Sequence, residues 1–194
     1  MPKKIAIIDG HPDASQDRFC HAIADAYAAG AEAEGHEVKR IVIATSNIAF
    51  LRSAQDWNEQ PAPAPMQDCQ DIIRWAEHLV IVYPLWLGSI PAILKAFFEQ
   101  VSRPGFAIRR GARTMWPGLL NGRSARIIVT MGMPALIYRW YFLAHSLKSL
   151  ERNILRFSGI GPIRETLIGN VEGTGASGRH KWLALVRELG RGGK

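Results

Sequence analysis

Three short stretches of the 194-residue chain combine residue types that bind or react with small molecules. The first, Gly10-His11-Pro12-Asp13-Ala14-Ser15-Gln16-Asp17-Arg18, follows the apolar run Ile5–Ile8 and precedes a segment with helical spacing. A helix amino end presents free backbone N–H groups and the positive end of its dipole, so an anion such as a phosphate suits it. Ser15 adds a hydroxyl and Arg18 a positive charge, although the same two residues would equally serve as a helix cap and a solvated cation. The second stretch, Tyr83-Pro84-Leu85-Trp86-Leu87-Gly88-Ser89, is apolar and aromatic where a connection is ordinarily polar. A planar ring system could pack on Trp86 and Leu87, with Gly88 allowing close approach to exposed amides; alternatively, Trp86 could plug the core or a subunit contact. The third, Thr130-Met131-Gly132-Met133-Pro134, offers amides, a hydroxyl and thioethers, and Tyr138 and His145 follow it. Seven residues apart, these two are expected to share a helix face. There a phenol and an imidazole could donate protons to charge developing on a reduced ring, or simply fill an interface and cap a turn.

The elements that must hold these stretches alternate. Ile5–Ile8 has no polar alternation, which predicts a strand covered on both faces. Phe19, Ile23, Ala26, Tyr27 and Gly30 mark a first helix, with Ser15 and Asp17 as caps and Gly35 as its stop. Glu37–Ile43 predicts a second strand, Gln67–Glu77 a helix and Leu79–Val82 a third strand. Ile90, Ile93, Leu94, Phe97, Phe98 and Val101 follow helical spacing, with Ser89 as cap and Pro91 in the first turn. A fourth strand over Ala125–Thr130, a long aromatic-rich helix over Ile137–Phe157, a fifth strand over Ile163–Ile168 and a closing helix over His180–Leu189 complete the alternation. The pattern implies an α/β fold in a single domain over 1–194: about five parallel strands in the flavodoxin-like order 2-1-3-4-5 with helices on both faces. In that order ligands sit beyond the carboxyl ends of the strands, where all three stretches fall.

Composition narrows the function classes. With 47% hydrophobic and 21% charged residues, the chain can fill a core and is no disordered tail. Its 24 Lys and Arg against 17 Asp and Glu give a net charge of +7, which favours phosphates and acidic surfaces without specifying a fold. Cys20 and Cys69, without Cys-x-x-Cys spacing, support neither a disulfide scaffold nor a zinc ribbon and fit a reducing cytoplasm. No apolar run approaches the ~18 residues of a membrane span, and the start lacks the pattern of a cleaved signal. The six histidines are scattered, so no metal site is expected. Gly173-Thr174-Gly175-Ala176-Ser177-Gly178 matches a dinucleotide fingerprint letter for letter, but only 16 residues follow it, so it reads as a flexible loop. Pro61–Pro65 also reads as a loop. The cluster Arg103, Arg109, Arg110 and Arg113, with Trp116 beside it, would suit a cofactor phosphate or peripheral contact with an acidic membrane, although most such runs are simply solvated. No base-reading motif accompanies it, so nucleic acid is not an expected partner.

Tyr83-Pro84-Leu85-Trp86-Leu87-Gly88-Ser89-Ile90-Pro91-Ala92-Ile93-Leu94-Lys95, with the later Gly105-Phe106-Ala107 turn, closely resembles the loop and helix of the NAD(P)H:quinone oxidoreductase (DT-diaphorase-like) family of flavodoxin-fold flavoproteins. The similarity runs from Ile5 to about Ile168. It implies a flavin, FMN or FAD, held by all three stretches. The ring would lie on Pro84, Leu85, Trp86 and Leu87, with hydrogen bonds from Thr130 and Gly132 and with Met133 alongside. His11, Ser15, Arg18, Phe19 and Cys20 would form the first cofactor loop, Arg18-Phe19-Cys20 standing where the family often has Ser-Phe-Asn. Tyr138 and His145 look like the family's tyrosine and histidine that steady reduced flavin and substrate. The resemblance further implies NAD(P)H as electron donor and two-electron transfer to a quinone-type acceptor in two half-reactions at one site. It also implies a homodimer, for which the large apolar surface of Tyr138, Trp140, Tyr141 and Phe142 speaks independently. The family likeness includes flavin-binding regulatory subunits of membrane transporters, which is the alternative function.

Overall fold

Five strands, β1 (Lys4–Asp9), β2 (Glu37–Val42), β3 (His78–Pro84), β4 (Ser124–Thr130) and β5 (Ile163–Ile168), pair in parallel in the order β2-β1-β3-β4-β5 of a computed structural model. The structure describes residues 1–111 and 118–194, so Arg113 and Trp116 of the basic cluster lie outside the described residues. Ile8 is level with Ile41 on one side and Ile81 on the other, and Ile81 is level with Ile127. This register aligns the ends of β1, β3 and β4, and it realises the expected strand order.

Side chains alternate across the sheet. Ala6, Ile8, Leu79, Ile81, Tyr83, Ile127 and Val129 join a core beneath α3 (Ala64–Trp75) and α4 (Ala92–Val101). Ile5, Ile7, Val80, Val82 and Ile128 point the other way, beneath α1 (Phe19–Ala33) and the last helix, Gly175–Arg191. Near-continuous apolar runs are what a doubly covered parallel strand requires, each buried Ile or Val contributing roughly 1.5–3 kcal/mol. The last helix crosses α1 at glycines: Gly30 faces the Arg187 carbonyl and Gly190 faces that of Tyr27. No helix among the described residues is long and apolar enough to cross a membrane.

Several boundaries differ from the expectation, each for a local reason. The cap of α1 is Arg18, with no side-chain hydrogen bond, rather than Ser15 or Asp17. The Ser15 N–H instead donates to Asp13 Oδ1 in a turn ahead of the helix (2.9 Å). Pro91, not Ser89, caps α4, because the backbone of Ser89 is engaged in a turn with Trp86. A short helix, α2 (Ala54–Glu59), was not expected: it has no buried side chain and hence no apolar stripe, and Ser53 caps it by accepting from the Asp56 N–H (3.0 Å). The Pro61–Pro65 run is only partly loop, since α3 starts inside it and places proline in its first turn, where a missing N–H costs nothing.

The long helix expected over Ile137–Phe157 is broken. It consists of α5 (Ala135–Trp140), α6 (His145–Ser149) and a π-helical continuation over Leu150–Arg156. Leu143 and Ala144 between α5 and α6 take left-handed φ values of 52° and 49°, which apolar spacing does not report. The fingerprint-like Gly173–Gly178 is not a loop throughout, because α7 (Gly175–Arg191) begins within it. Arg103 leaves the surface cluster: it is buried and donates to the carbonyls of Asp56, Gln60 and Gln100 and to the Gln100 side chain, joining α2 to α4. Arg109 and Arg110 remain exposed.

His78 opens the central strand β3, at the amino ends of the strands and remote from the three loops. It is buried, its Nδ1 lies 2.8 Å from Ser124 Oγ, and its Nε2 has no partner among the described residues. Burial, reinforced by the positive charges of Lys3, Arg126, Arg164 and His36, pushes its pKa down to about 4. The folded state therefore refuses a proton that the unfolded chain binds near 6.5. Stability is undiminished above that value and is lost as the pH falls towards 4, by up to about 3 kcal/mol. Urea midpoints between pH 7 and 4.5 are expected to fall less steeply in His78→Gln than in the parent chain; parallel profiles would remove His78 from the acid response.

Candidate functional site

The strand order sets β1 beside β3 and β3 beside β4, so the loops that leave their carboxyl ends meet. They are stitched together by backbone. The Gly10 N–H donates to the Val82 carbonyl (2.7 Å), and the Leu85 N–H donates to that of Thr130 (2.7 Å). A Cβ on Gly10 would stand 2.8 Å from Leu94 Cδ2 and 2.9 Å from the Val82 oxygen, so only glycine lets the first loop lie this close to β3 and α4. Met131 donates to the Ile168 carbonyl and accepts from the Val171 N–H, which ties the β4 loop to β5.

In the first loop His11 is buried, with Nδ1 accepting from the Asp13 N–H (3.0 Å). The Ser15 N–H and the Arg18 guanidinium, 2.6 Å from Asp13 Oδ2, hold the Asp13 carboxyl below its usual range. The charge of Arg18 is thus shared with Asp13 rather than free. Phe19 is half-buried under the Arg179 guanidinium, 5.9 Å from its ring centroid. Cys20 and Thr130 are both buried and touch, Sγ to Oγ1 at 3.2 Å. Burial pushes the Cys20 thiol up to about 12, so it is a neutral link between α1 and β4.

The β3 loop is unlike an ordinary connection. Trp86 and Ser89 exchange backbone hydrogen bonds of 2.9 Å around Leu87 and Gly88, whose φ values are 48° and 74°. This is the geometry of a two-residue turn with both central residues left-handed, where Asn-Gly is usual and leucine is strained by about 1–2 kcal/mol. Leu87 nevertheless occupies the strained position with its side chain fully exposed, at 107% of the reference area, and Trp86 is 49% exposed. The Trp86 ring stands edge-on to His11 with centroids 5.9 Å apart, so the first and second loops share one aromatic wall. Pro84 is buried at the end of β3 and Leu85 is half-buried. On the β4 side Gly132 is exposed and Met133 half-buried, with its carbonyl accepting from the Asn170 N–H (3.0 Å).

Tyr138 and His145 do not share a face. Tyr138 is 1% exposed, whereas His145 is exposed beyond the left-handed break. The Tyr138 phenol oxygen accepts from the Leu147 N–H (3.2 Å) and its backbone carbonyl from the Ala144 N–H (3.0 Å). It therefore pins the residues on either side of His145 instead of offering a hydroxyl to the surface. A cleft of about 500 Å³ runs from Trp86, Ile90 and Pro91 to Ser146 and Leu150, with Lys95 on its wall. A second cleft of about 530 Å³, between α2, α4 and the π-helical segment, contains no residue of the three loops.

Sequence reasoning missed one arrangement. Asp9, the last residue of β1, and His21 in the first turn of α1 form a buried pair with Oδ2 and Nδ1 2.6 Å apart. The available signal was a carboxylate directly after the apolar run Ile5–Ile8, followed by a histidine within the buried stripe of the next helix.

The family model described as a flavodoxin-like fold matches residues 3–188. The chain belongs to this flavodoxin-like family. An uncharacterized NAD(P)H oxidoreductase of Haemophilus influenzae is 29% identical over 119 residues, 60% of this chain and 58% of that one. FMN-dependent NADH:quinone oxidoreductase 3 of Pseudomonas aeruginosa is 35% identical over 118 residues, 60% of this chain and 52% of that one. The chain thus spans little more than half the length of these curated relatives. Among solved structures, the NAD(P)H:quinone oxidoreductase from Methanothermobacter marburgensis superposes with a TM-score of 0.81 at 22% identity, covering 98% of this flavodoxin-like chain and 96% of that one.

Proposed function

We propose that the chain is a flavoprotein oxidoreductase that binds FMN across the three loops, takes two electrons from NADH or NADPH and passes them to a quinone-type acceptor in a second half-reaction at the same site. The observation that carries this reading is the β3 loop: an exposed tryptophan beside a strained, fully exposed leucine, at the switch point where ligands of this fold sit. A flat, largely apolar ring is the ligand that would cover it. The names of the relatives favour FMN over FAD and a quinone as acceptor.

The bound flavin would supply the redox chemistry by accepting a hydride equivalent and releasing it. The chain's own part is placement. Trp86 and Leu87 present an apolar floor, and the first loop, with His11, Ser15, Arg18 and Phe19 around it, presents N–H donors at the head of α1 for a phosphate. Gly132 and Met133 close the far side, and Cys20 and Thr130 hold the loops in register from beneath. His145 precedes Ser146, which lines the cleft beside Trp86; from there its imidazole would hold or donate a proton, with Tyr138 as its positioning residue. The exposed Leu136, Ile137 and Trp140 of α5, with Tyr141 and Phe142 just beyond it, form a patch suited to a second copy of the chain, which makes a homodimer the assembly we infer.

Anaerobic mixing of the flavin-loaded protein with NADPH or NADH, followed by menadione, tests the reading. Bleaching of the flavin absorbance and its recovery on adding the quinone are expected. A protein that binds FMN but is never bleached would instead be a binding module, as in the transporter-subunit alternative. Tyr138→Phe and His145→Ala are expected to slow turnover while retaining flavin; unchanged rates in both would remove them from the mechanism.

A further inference from the structure

Beneath the first loop the ring of His21 is held between two oxygens. Nδ1 is 2.6 Å from Asp9 Oδ2 and Nε2 is 2.8 Å from the Asp13 carbonyl. The carbonyl can only accept, so Nε2 carries a proton; with the Asp9 carboxyl ionised, Nδ1 carries one too and the ring is an imidazolium. His11, 5.4 Å away between ring centroids, meets the same residue: its Nδ1 lies 3.0 Å from the Asp13 nitrogen and 3.2 Å from the Asp13 carbonyl oxygen. Asp9 is buried, and among the described residues its other oxygen, Oδ1, has no partner, which leaves His21 as the group that would compensate an ionised Asp9. The first loop thus carries two compensated pairs, Asp9 with His21 and Asp13 with Arg18. Loss of the His21 proton would leave an uncompensated carboxylate under the site where an anion is to be held.

We propose that the His21 imidazolium, locked between Asp9 and the Asp13 carbonyl, makes the first loop select a phosphorylated flavin over an unphosphorylated one. The inference rests on the flavin reading above. His21 is a positioning residue: it orients the Asp13 peptide, and with it the loop amides and the His11 ring, and it cancels the charge of Asp9. The groups that bear on it are Asp9 from β1, His11 and Asp13 from the loop, and Asp25 one turn along α1. From α7, Arg179 stands over Phe19 and donates to the Val171 carbonyl. Burial disfavours the charged ring, but the hydrogen bonds to Asp9 and Asp13 outweigh it, so His21 titrates above the ordinary imidazole value. The same burial, with the neighbouring His21 charge, outweighs the opposing pull of Asp13 and Asp9 and lowers His11. With a raised value, the selection persists to higher pH than an ordinary imidazole would allow and is lost as the pH rises through the His21 titration.

The test compares FMN with riboflavin, which lacks the phosphate, by fluorescence titration of the flavin-free full chain from pH 7 upwards. The phosphate monoester, with a second pKa near 6, only gains charge as the pH rises from about 7, so a falling ratio reports the protein. The FMN-to-riboflavin affinity ratio is expected to fall with rising pH in the parent chain. In His21→Gln, which keeps a donor but no charge, it should be about tenfold smaller at pH 7 and independent of pH. A ratio that is flat in the parent chain and unchanged in His21→Gln overturns the proposal. Nitrogen NMR of the parent chain supplies a readout without any variant or flavin: both His21 nitrogens should be protonated at pH 7, and a neutral ring overturns the proposal while leaving the flavin reading intact. Failure of both flavins to bind a chain whose His21 is doubly protonated would overturn the flavin reading itself, and this inference with it.

Discussion

Replacing Gly30 or Gly190 by valine is expected to lower the stability of the chain by about 3 kcal/mol or more, or to prevent folding. Intrinsic helix propensity predicts the opposite sign for the milder change to alanine, because glycine inside a helix costs roughly 0.5–1 kcal/mol. The two effects can therefore be separated by direction alone. A Cβ on Gly30 would overlap the Arg187 carbonyl oxygen, and one on Gly190 would overlap that of Tyr27. Neither oxygen can swing aside as a flexible side chain would. The helices would have to separate, uncovering Ile5, Ile7, Val80 and Val82 on that face of the sheet. Urea midpoints of Gly30→Ala and Gly190→Ala check the sign: a gain in stability at both positions would show that α1 and α7 are not held at this spacing. Because α1 carries Cys20 and His21, a shift of the helix should also weaken flavin binding in any variant that still folds.

How much of this was legible in the sequence follows from what each signal reports. Ile5–Ile8, Leu79–Val82 and Ile163–Ile168 are apolar or short-period runs bounded by turn residues, and the strands lie over them. The alternation of elements then leaves few topologies, and the three loops come together as the strand order requires. What escaped was backbone handedness and polar pairing. The apolar spacing from Ile137 to Phe157 runs through a left-handed break because Trp140, Tyr141 and Phe142 face solvent rather than the core, so the pattern persists after the helix stops. The shared face expected for Tyr138 and His145 failed for the same reason. Arg103 counted as a surface charge because sequence shows its type and not the carbonyl oxygens folded around it. The Asp9–His21 pair spans a strand end and a helix, and only the packed structure brings the two together.

Leu87→Gly is expected to raise stability and weaken flavin binding together, a combination that separates a functional strain from an incidental one. Leucine at a φ of 48° carries a penalty that glycine does not, so relief of roughly 1 kcal/mol is expected, visible as a higher urea midpoint in the flavin-free chain. A Cβ at the neighbouring Gly88 would meet nothing within 4 Å, so the turn has open space around it and holds Leu87 outward without supporting contacts. An exposed leucine side chain that a ligand covers contributes about 1.5–3 kcal/mol of binding, so FMN should bind roughly tenfold to a hundredfold more weakly to Leu87→Gly. Trp86→Ala, which removes the larger surface and the edge contact with His11, should weaken it at least as much, without the gain in stability. If both variants retain FMN with the parent affinity, the β3 loop is not the floor of a flavin site and its apolar surface belongs to a subunit contact. If Leu87→Gly loses affinity and also loses stability, the left-handed leucine is supported by packing that its exposure does not show. Only opposite signs, more stable and less retentive, fit a turn held in strain for the sake of the ring it receives.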